Sequence, residues 1–561
     1  MLPVCSEQPI VNVAARVSTL AQQMPDAVAV VEAMGRDRRG ERQYRKITFR
    51  QLDEDSNRIA AALRRMGVMP AMRLALLVRP GIDFISLVLA LFKAGVVIIL
   101  IDPGMGKRNL VKCLSDAEPR GFIAIPPVQA VRSLLGRRFP AARFNVTVGR
   151  RWFWGGPTLD QLRREPAAGF EPSPTTREDP AAIIFTTGST GPPKGVLYAH
   201  GNFDAQVEEI RDFFAIQPRE IDVSCFPLFG LFNCAMGVTA VIPRMDPTRP
   251  AEVDPVNIVE AVRDWKATQA FGSPALWNRV GRYCRDHAIR LETLRRVLSS
   301  GAPVAANVLQ AMKDSIHPEG DMHTPYGATE SLPVASIAAS EVLRETAART
   351  REGGGVCVGR KFSRIDWKVI RVVDGPIRSL AEAEEMPPGE IGELIVHGPV
   401  VTRRYVTRIE SNAAGKIPDG EDIWHRMGDV GYLDDRGRFW FCGRMAHRVR
   451  TVDGPMYTIP CESIFNQHPD IYRSALVGVG PAGRQRPIIV LQPHPGRMPT
   501  GDEARQKLLD SIRQLGQSHP LTAKIEDFLL HPSFPVDIRH NAKIFREKLA
   551  VWAAARVGAD S

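Results

Sequence analysis

Residues 183–203 read IIFTTGSTGPPKGVLYAHGNF. The centre of this stretch, TTGSTGPPKG (186–195), holds three glycines, four hydroxyl side chains, two prolines and one lysine in ten residues. The apolar run AAIIF in front of it reads as a short buried strand leading straight into a loop. Glycine after a strand lets backbone N–H groups approach an anion closely, and Ser and Thr hydroxyls add donors. Lys194 at the end adds a compact positive charge. The loop therefore reads as a phosphate cradle. It is not the P-loop of NTPases, because Lys194 is followed by Gly195 and is wrongly spaced from Gly188. Nor is it a nucleophile elbow, because Thr187 stands where glycine is required. A plain surface turn is the competing reading, and the density of hydroxyls behind a buried strand argues against it.

Outward from this loop, helical patterns alternate with short apolar strands through most of the first 440 residues. ITFRQLDEDSNRIAAALRRMG (47–67) carries helical spacing with Gly67 as its stop, and LALLVR (74–79) is a strand. This alternation predicts an α/β fold with largely parallel sheets. EPSPTTREDP (171–180) is a polar, proline-containing surface loop. The pattern changes near GRFWFCGR (437–444), after which short strands and helices predict a second, small α+β unit. The expected division is 1–443 and 444–561, in line with a chain of 561 residues being too long for one core.

Composition excludes several classes. The apolar fraction of 44% is that of an ordinary globular chain, and Lys+Arg exceed Asp+Glu by 73 − 62 = 11. The basic residues are scattered without aromatic interleaving, so a nucleic-acid partner is not expected. The eight cysteines lie far apart without zinc-like spacing, which suggests reduced thiols and a cytoplasmic location. The opening residues lack a basic start followed by an apolar core, so no secretory signal is expected. FISLVLALFKAGVVIILI (84–101) approaches membrane-spanning length, but Lys93 and Gly95 interrupt it. It reads as a buried helix ending near Gly95 followed by a buried strand. GVGPAG (478–483) fits G-x-G-x-x-G, yet RQRPIIVLQP follows where a dinucleotide site needs a helix, so it reads as a turn between strands.

Two more stretches carry chemistry. YGATE (326–330) ends in a carboxylate beside a hydroxyl, and Gly327 permits close backbone approach to a ligand. MGDVGYLDDRGRFWFCGR (427–444) places Asp429 in a glycine-flanked turn, where a carboxylate could accept hydrogen bonds from a ribose diol. Either alone has an ordinary structural explanation. Their order is specific: TTGSTGPPKG, SSGAP (299–303), YGATE, MGD, GR, then a late lysine in FPVDIRHNAKIFREKL (534–549). This series resembles the adenylate-forming superfamily of acyl-CoA synthetases, luciferases and peptide-synthetase adenylation domains, and it covers nearly the whole chain.

The resemblance implies ATP and Mg²⁺ as the nucleotide and its metal. It gives Thr186, Thr187, Gly188, Ser189, Thr190, Gly191 and Lys194 the β- and γ-phosphates. Gly301, Ala302 and Pro303 are expected to line the adenine, with Tyr326 stacked on it beside Gly327. Thr329 is expected at the α-phosphate and Glu330 at Mg²⁺. Asp429 and Arg444 match the ribose-binding positions, and Lys543 matches the lysine that bridges substrate carboxylate and α-phosphate. Phe226, Gly230, Phe271 and Gly272 are the candidate acyl pocket, Gly230 standing where acyl- and aryl-CoA ligases often carry histidine, which would widen the entrance. Departures gather where a thiolation conformation would form: Met427 before Gly-Asp, Ala446 in the hinge GRMAHRVR, and Pro455 in TVDGPMYTIPCE. Ala542 also replaces the usual glycine before Lys543.

This combination, with IPRMDPTRPAEVDP (242–255) and FGSPALW (271–277), is similar to the β-lactone synthetase branch of bacterial long-chain olefin biosynthesis. That branch implies adenylation of a 2-alkyl-3-hydroxyalkanoic acid, attack by its own β-hydroxyl, and no need for CoA. It also implies possible assembly with other enzymes of the pathway. A long-chain fatty acid–CoA ligase of the same fold is the alternative. A non-catalytic nucleotide-binding module would require loss of Glu330 or Lys543, and both are present.

Overall fold

The computed structural model describes residues 10–186, 192–536 and 544–557. Two seven-stranded sheets are largely parallel. The first runs Asp321–His323, Arg296–Ser299, Gln269–Gly272, Ile221–Ser224, Thr239–Ile242, Val28–Arg36 and Arg42–Thr48, with only the last pair antiparallel. The second runs Arg404–Tyr405, Gly195–Ala199, Pro180–Phe185, Val97–Leu100, Arg73–Leu77, Gly121–Ala124 and Phe144–Thr147. Its strands from Pro180–Phe185 onward are mutually parallel, and the first two form the antiparallel rim.

A third, eight-stranded sheet is antiparallel throughout and is built from residues 326–444. The α/β alternation, expected through most of the first 440 residues, thus gives way to antiparallel pairing after about residue 325. After Arg444 come the hairpin of Val449–Thr451 with Gly454–Met456 and a three-stranded sheet of Ile471–Val479, Arg486–Pro493 and Asp527–Leu530. Helices Asp502–Gln517 and Arg546–Val557 accompany that sheet, which closes two small cores of its own around Phe465 and Phe534.

Local rules explain the elements that frame the site. Helix Phe49–Arg65 starts on a capping box between Thr48 and Gln51 and stops before Gly67, whose φ is +90°. The apolar segment 84–101 folds as helix Ile82–Lys93 and strand Val97–Leu100, turning at Gly95 with φ +72°. Lys93 is buried there because its ammonium meets Asp53 Oδ1 at 2.7 Å, Ser56 Oγ at 2.8 Å and Asn57 Oδ1 at 2.8 Å. Breaking that set would leave an uncompensated buried charge, a loss of about 3–5 kcal/mol. Among the described residues no helix is long and apolar enough to cross a membrane. GVGPAG is the turn of an antiparallel hairpin, with Val479 opposite Arg486.

Candidate active site

The hydroxyl-rich loop joins two antiparallel strands, Pro180–Phe185 and Gly195–Ala199, with Phe185 opposite Gly195. Its mouth is tied by two hydrogen bonds: Thr186 N–H donates to the Lys194 carbonyl (3.0 Å), and Lys194 N–H donates to Thr186 Oγ1 (3.2 Å). Thr187, Gly188, Ser189, Thr190 and Gly191 lie outside the described residues, as do Ala542 and Lys543. Thr186 and Lys194 border a cavity of about 700 Å³, which gathers most of the sequence-derived candidates among the described residues.

YGATE is the turn of a tight hairpin, strand Tyr326–Ala328 pairing with strand Ser331–Ser336. A Cβ at Gly327 would sit 2.7 Å from the Ser331 carbonyl oxygen, so glycine is required here for the two arms to close on each other. That is a structural reason beside the ligand approach expected from sequence. The turn presents Thr329 and Glu330 to the cavity. Buried Tyr198 donates to the Thr329 carbonyl (2.5 Å), and Thr402 donates to the Glu330 carbonyl through both N–H (2.9 Å) and Oγ1 (3.0 Å). The Glu330 carboxylate accepts from Tyr405 Oη at 2.8 Å. Two ammonium groups flank the Tyr405 ring, Lys194 at 4.8 Å and Lys416 at 5.8 Å from its centroid. Tyr405 thereby links the phosphate-loop lysine to the acidic turn.

Asp429 departs from its expected setting. It lies inside strand Asp422–Leu433, not in a turn. Opposite Leu394 the strand spends three residues, Met427, Gly428 and Asp429, because Ile395 pairs with Arg426 while Glu393 pairs with Val430. Gly428 adopts φ +64° to make this bulge. The next pairing sets Asp429 opposite Arg444, and their charges meet at 3.0 Å. The Tyr326 hydroxyl donates to Asp429 Oδ2, so the carboxylate is buried behind two residues that themselves line the cavity. The Asp429 charge holds the Arg444 guanidinium above its ordinary range, while burial and Asp429 push the Tyr326 phenol well up.

The rest of the wall is apolar and aromatic. Phe229 and Phe271 stack with centroids 4.1 Å apart, and Phe226 lies 6.1 Å from Phe271. From Phe229 the rings continue through Phe232 (6.4 Å), Phe203 (6.3 Å) and Tyr198 (5.1 Å), whose hydroxyl ends on Thr329. A continuous aromatic chain thus connects the apolar wall to the acidic turn, each contact worth about 0.5–1.5 kcal/mol beyond burial.

Besides Asp429, four of the described candidates are not brought to the cavity wall. A Cβ at Gly230 would make ordinary contact with Ile85 (3.4 Å) and Ala240 (3.7 Å), and Gly230 itself does not line the cavity. Gly272 faces Trp277 and Leu276. Of the SSGAP segment, Ser300 and Gly301 line the cavity, whereas Ala302 and Pro303 lie beyond it. Sequence reasoning also missed several residues. Tyr405 and Lys416 carry no local motif. Arg426 lines the cavity in a buried pair with Glu393 at 2.6 Å and also donates to the Val373 carbonyl at 2.7 Å.

The electrostatics concentrate beside Glu330. Lys416 is 7% exposed and its ammonium is held by the Thr402 carbonyl. Burial, opposed by Glu330 and reinforced by Lys194, brings it down to about 7. Burial together with Lys416 holds neighbouring His425 well below the imidazole range, as a neutral ring on the Gly415 carbonyl at 2.9 Å. The arrangement offers a cationic cradle for phosphate, one carboxylate in reach of a metal–nucleotide complex, and an aromatic pocket for a long apolar acid.

Comparison with known proteins fits this geometry. The AMP-binding enzyme family matches residues 17–406. An olefin beta-lactone synthetase of Xanthomonas campestris pv. campestris is 44% identical over 550 residues, covering 97% of both chains. One of Stenotrophomonas maltophilia is 43% identical, covering 97% of this chain and 98% of its own. Among solved structures, the anthranilate CoA ligase AuaEII in complex with anthranoyl-AMP superposes with a TM-score of 0.78 at 18% identity, covering 99% of this chain and 100% of its own. Family match and architecture agree that the chain belongs to the AMP-binding, adenylate-forming enzymes.

Proposed function

We propose that this protein is an ATP-dependent β-lactone synthetase acting on 2-alkyl-3-hydroxyalkanoic acids in long-chain olefin biosynthesis. The observation that carries the reading is one cavity that joins the Thr186–Lys194 mouth and the Glu330 turn to the aromatic wall of Phe226, Phe229 and Phe271. The names of the two relatives at 43–44% identity point the same way.

The acid lies along the aromatic wall with its carboxylate toward Thr329. Attack of that carboxylate on the α-phosphorus of ATP forms the acyl adenylate and releases diphosphate. Lys194 and the loop it closes hold the departing phosphates, and Arg444 with Asp429 holds the ribose. Lys543 is assigned to the negative charge shared between carboxylate and α-phosphate, where a fixed cation favours the transition state. The β-hydroxyl oxygen then bonds to the acyl carbon, the acyl–phosphate bond breaks, AMP leaves, and the hydroxyl proton passes to AMP phosphate or solvent. A nucleophile tethered two carbons away replaces a second substrate.

Glu330 fits a magnesium–nucleotide complex better than a resident metal. Among the described residues no group of three or more His, Cys, Asp and Glu could cage an ion, whereas one cavity-facing carboxylate steadied by Tyr405 suits Mg²⁺ that arrives on phosphates. Bound there, Mg²⁺ would neutralise phosphate charge as diphosphate leaves. We assign residues 1–443 to the adenylation unit and 444–561 to the small unit that brings Lys543, and we place the reaction in the cytoplasm, alongside other enzymes of the pathway.

CoA is not used in this scheme, in keeping with Met427, Ala446 and Pro455 at positions where ligases differ. The test is AMP release from a 2-alkyl-3-hydroxy acid and from the matching acid without the hydroxyl, each with and without CoA. Release from the hydroxy acid alone, indifferent to CoA, is expected. Strong CoA stimulation with an acyl-CoA product from the other acid would establish a CoA ligase instead.

A further inference from the structure

Residues 119–159 contain no Asp or Glu and seven arginines: Arg120, Arg132, Arg137, Arg138, Arg143, Arg150 and Arg151. They build one edge of the second parallel sheet: strand Gly121–Ala124, helix Pro126–Leu134, edge strand Phe144–Thr147 and the loop after it. Six of these arginines are exposed, and Arg132, half-buried, bonds Gln129 Oε1 at 2.7 Å. Among the described residues none of the seven is paired with a carboxylate, although arginines elsewhere in the chain commonly are.

The same edge is unusually apolar. Phe153 (72% exposed), Trp152 (53%), Leu134 (80%) and Val131 (52%) all come from it, four of the fifteen large exposed hydrophobics among the described residues. The aromatic pair is held out by a built loop. Trp154 is buried, donates to Thr147 Oγ1 at 2.8 Å, and supports the rings of Trp152 (5.3 Å) and Phe153 (5.0 Å). Arg151 closes the loop on the Gly156 carbonyl (2.7 Å), and Gly149 packs beside Pro126 at the start of the helix. An ordered loop pays little further entropy to bury its exposed rings.

We propose that this edge docks the protein on the surface of an anionic phospholipid bilayer. Unpaired arginines match lipid phosphates in charge and fork geometry. Trp and Phe beside them suit the headgroup boundary, where one side is apolar and the other wet. A nucleic acid would use the arginines but leave Val131 and Leu134 without a role. A poorly water-soluble acyl substrate would also be met at such a surface, but the inference stands on the edge itself.

The test is co-sedimentation of the full chain, without substrate or nucleotide, with vesicles of phosphatidylcholine alone and of phosphatidylcholine mixed with phosphatidylglycerol. Binding is expected to the anionic vesicles only and to weaken with salt. Arg137→Gln with Arg150→Gln should weaken it roughly 30-fold at low salt, from two lost cations. Trp152→Ser with Phe153→Ser should lower it independently while diphosphate release from a short-chain, water-soluble hydroxy acid is unchanged, which separates docking from the reaction. No binding to anionic vesicles, or binding unaltered in both folded variants, would overturn the proposal. So would lipid-independent capture of a soluble acidic protein that both variants lose, with vesicle binding intact.

Discussion

Tyr405→Phe removes one oxygen and little else. The phenyl ring keeps its place between Lys194 at 4.8 Å and Lys416 at 5.8 Å, so both cation contacts survive. What disappears is the 2.8 Å hydrogen bond to Glu330 Oε1. A hydrogen bond to a charged group contributes about 1.5–3 kcal/mol. If Tyr405 fixes the carboxylate for the metal–nucleotide complex, the rate of diphosphate release should fall by roughly 10- to 150-fold at limiting magnesium, each 1.36 kcal/mol being a factor of ten. High magnesium should restore much of the loss, because a mobile carboxylate can still bind when driven by concentration. ATP binding without magnesium should change little, since the loop mouth at Thr186 and Lys194 is untouched. The assay is single-turnover diphosphate release across a magnesium titration, beside a nucleotide-binding titration. A Tyr405→Phe enzyme whose magnesium response superimposes on the parent would refute the positioning role and return Tyr405 to the core.

Lys543→Ala should keep ATP binding and lose about 10²–10³ in the rate of adenylation, the usual effect of removing one transition-state stabiliser; near-normal diphosphate release would remove it from the mechanism. Gly327→Ala forces a Cβ to 2.7 Å from the Ser331 carbonyl and 2.9 Å from Leu332 Cβ. It should cost about 1–3 kcal/mol and, by shifting Glu330, more activity than stability, so normal turnover at an unchanged melting temperature would contradict the close-packed hairpin. Lys416→Met probes the buried ammonium at about 7, against about 10.4 for a free lysine. Below about pH 7 both folded and unfolded chains hold that proton and the fold bears its full cost; above it the folded chain sheds the proton first, so parent stability rises with pH. The variant should therefore exceed the parent by roughly 2–4 kcal/mol near pH 6.5, after loss of the Thr402 contact, and converge on it near pH 9.5. Melting curves showing the same difference at both pH values would sink this reading.

The parts of this protein that were legible in its sequence are those where one short segment supplies both the chemistry and its geometry. TTGSTGPPKG announces a loop after a strand, and the hairpin mouth at Thr186 and Lys194 follows from it. YGATE likewise carries its glycine and its acid together. What stayed hidden depends on residues far apart in the chain. Tyr405 reaches Glu330 across 75 positions, and its partner Lys416 sits in a segment whose local pattern is featureless. The bulge at Gly428 arises from strand register, which no single strand encodes. The direction in which Gly230 faces was hidden for a related reason. Gly230 occupies the right motif position, but the helix Pro227–Ala235 turns its Cα toward Ile85 and Ala240. The antiparallel third sheet was not told apart from an α/β layer because, apart from Asp422–Leu433, its strands run six residues or fewer and look in isolation like those of a parallel sheet.

The most direct test of the central claim follows the oxygens. A 2-alkyl-3-hydroxy acid labelled with ¹⁸O in both carboxyl positions is converted with ATP and magnesium, and AMP and lactone are read by mass spectrometry. Adenylation of the carboxylate followed by attack of the β-hydroxyl predicts one ¹⁸O in AMP and one in the lactone carbonyl, with the ring oxygen unlabelled. Unlabelled AMP with both ¹⁸O atoms retained in the lactone would mean that the hydroxyl, not the carboxylate, is activated, and would contradict the account.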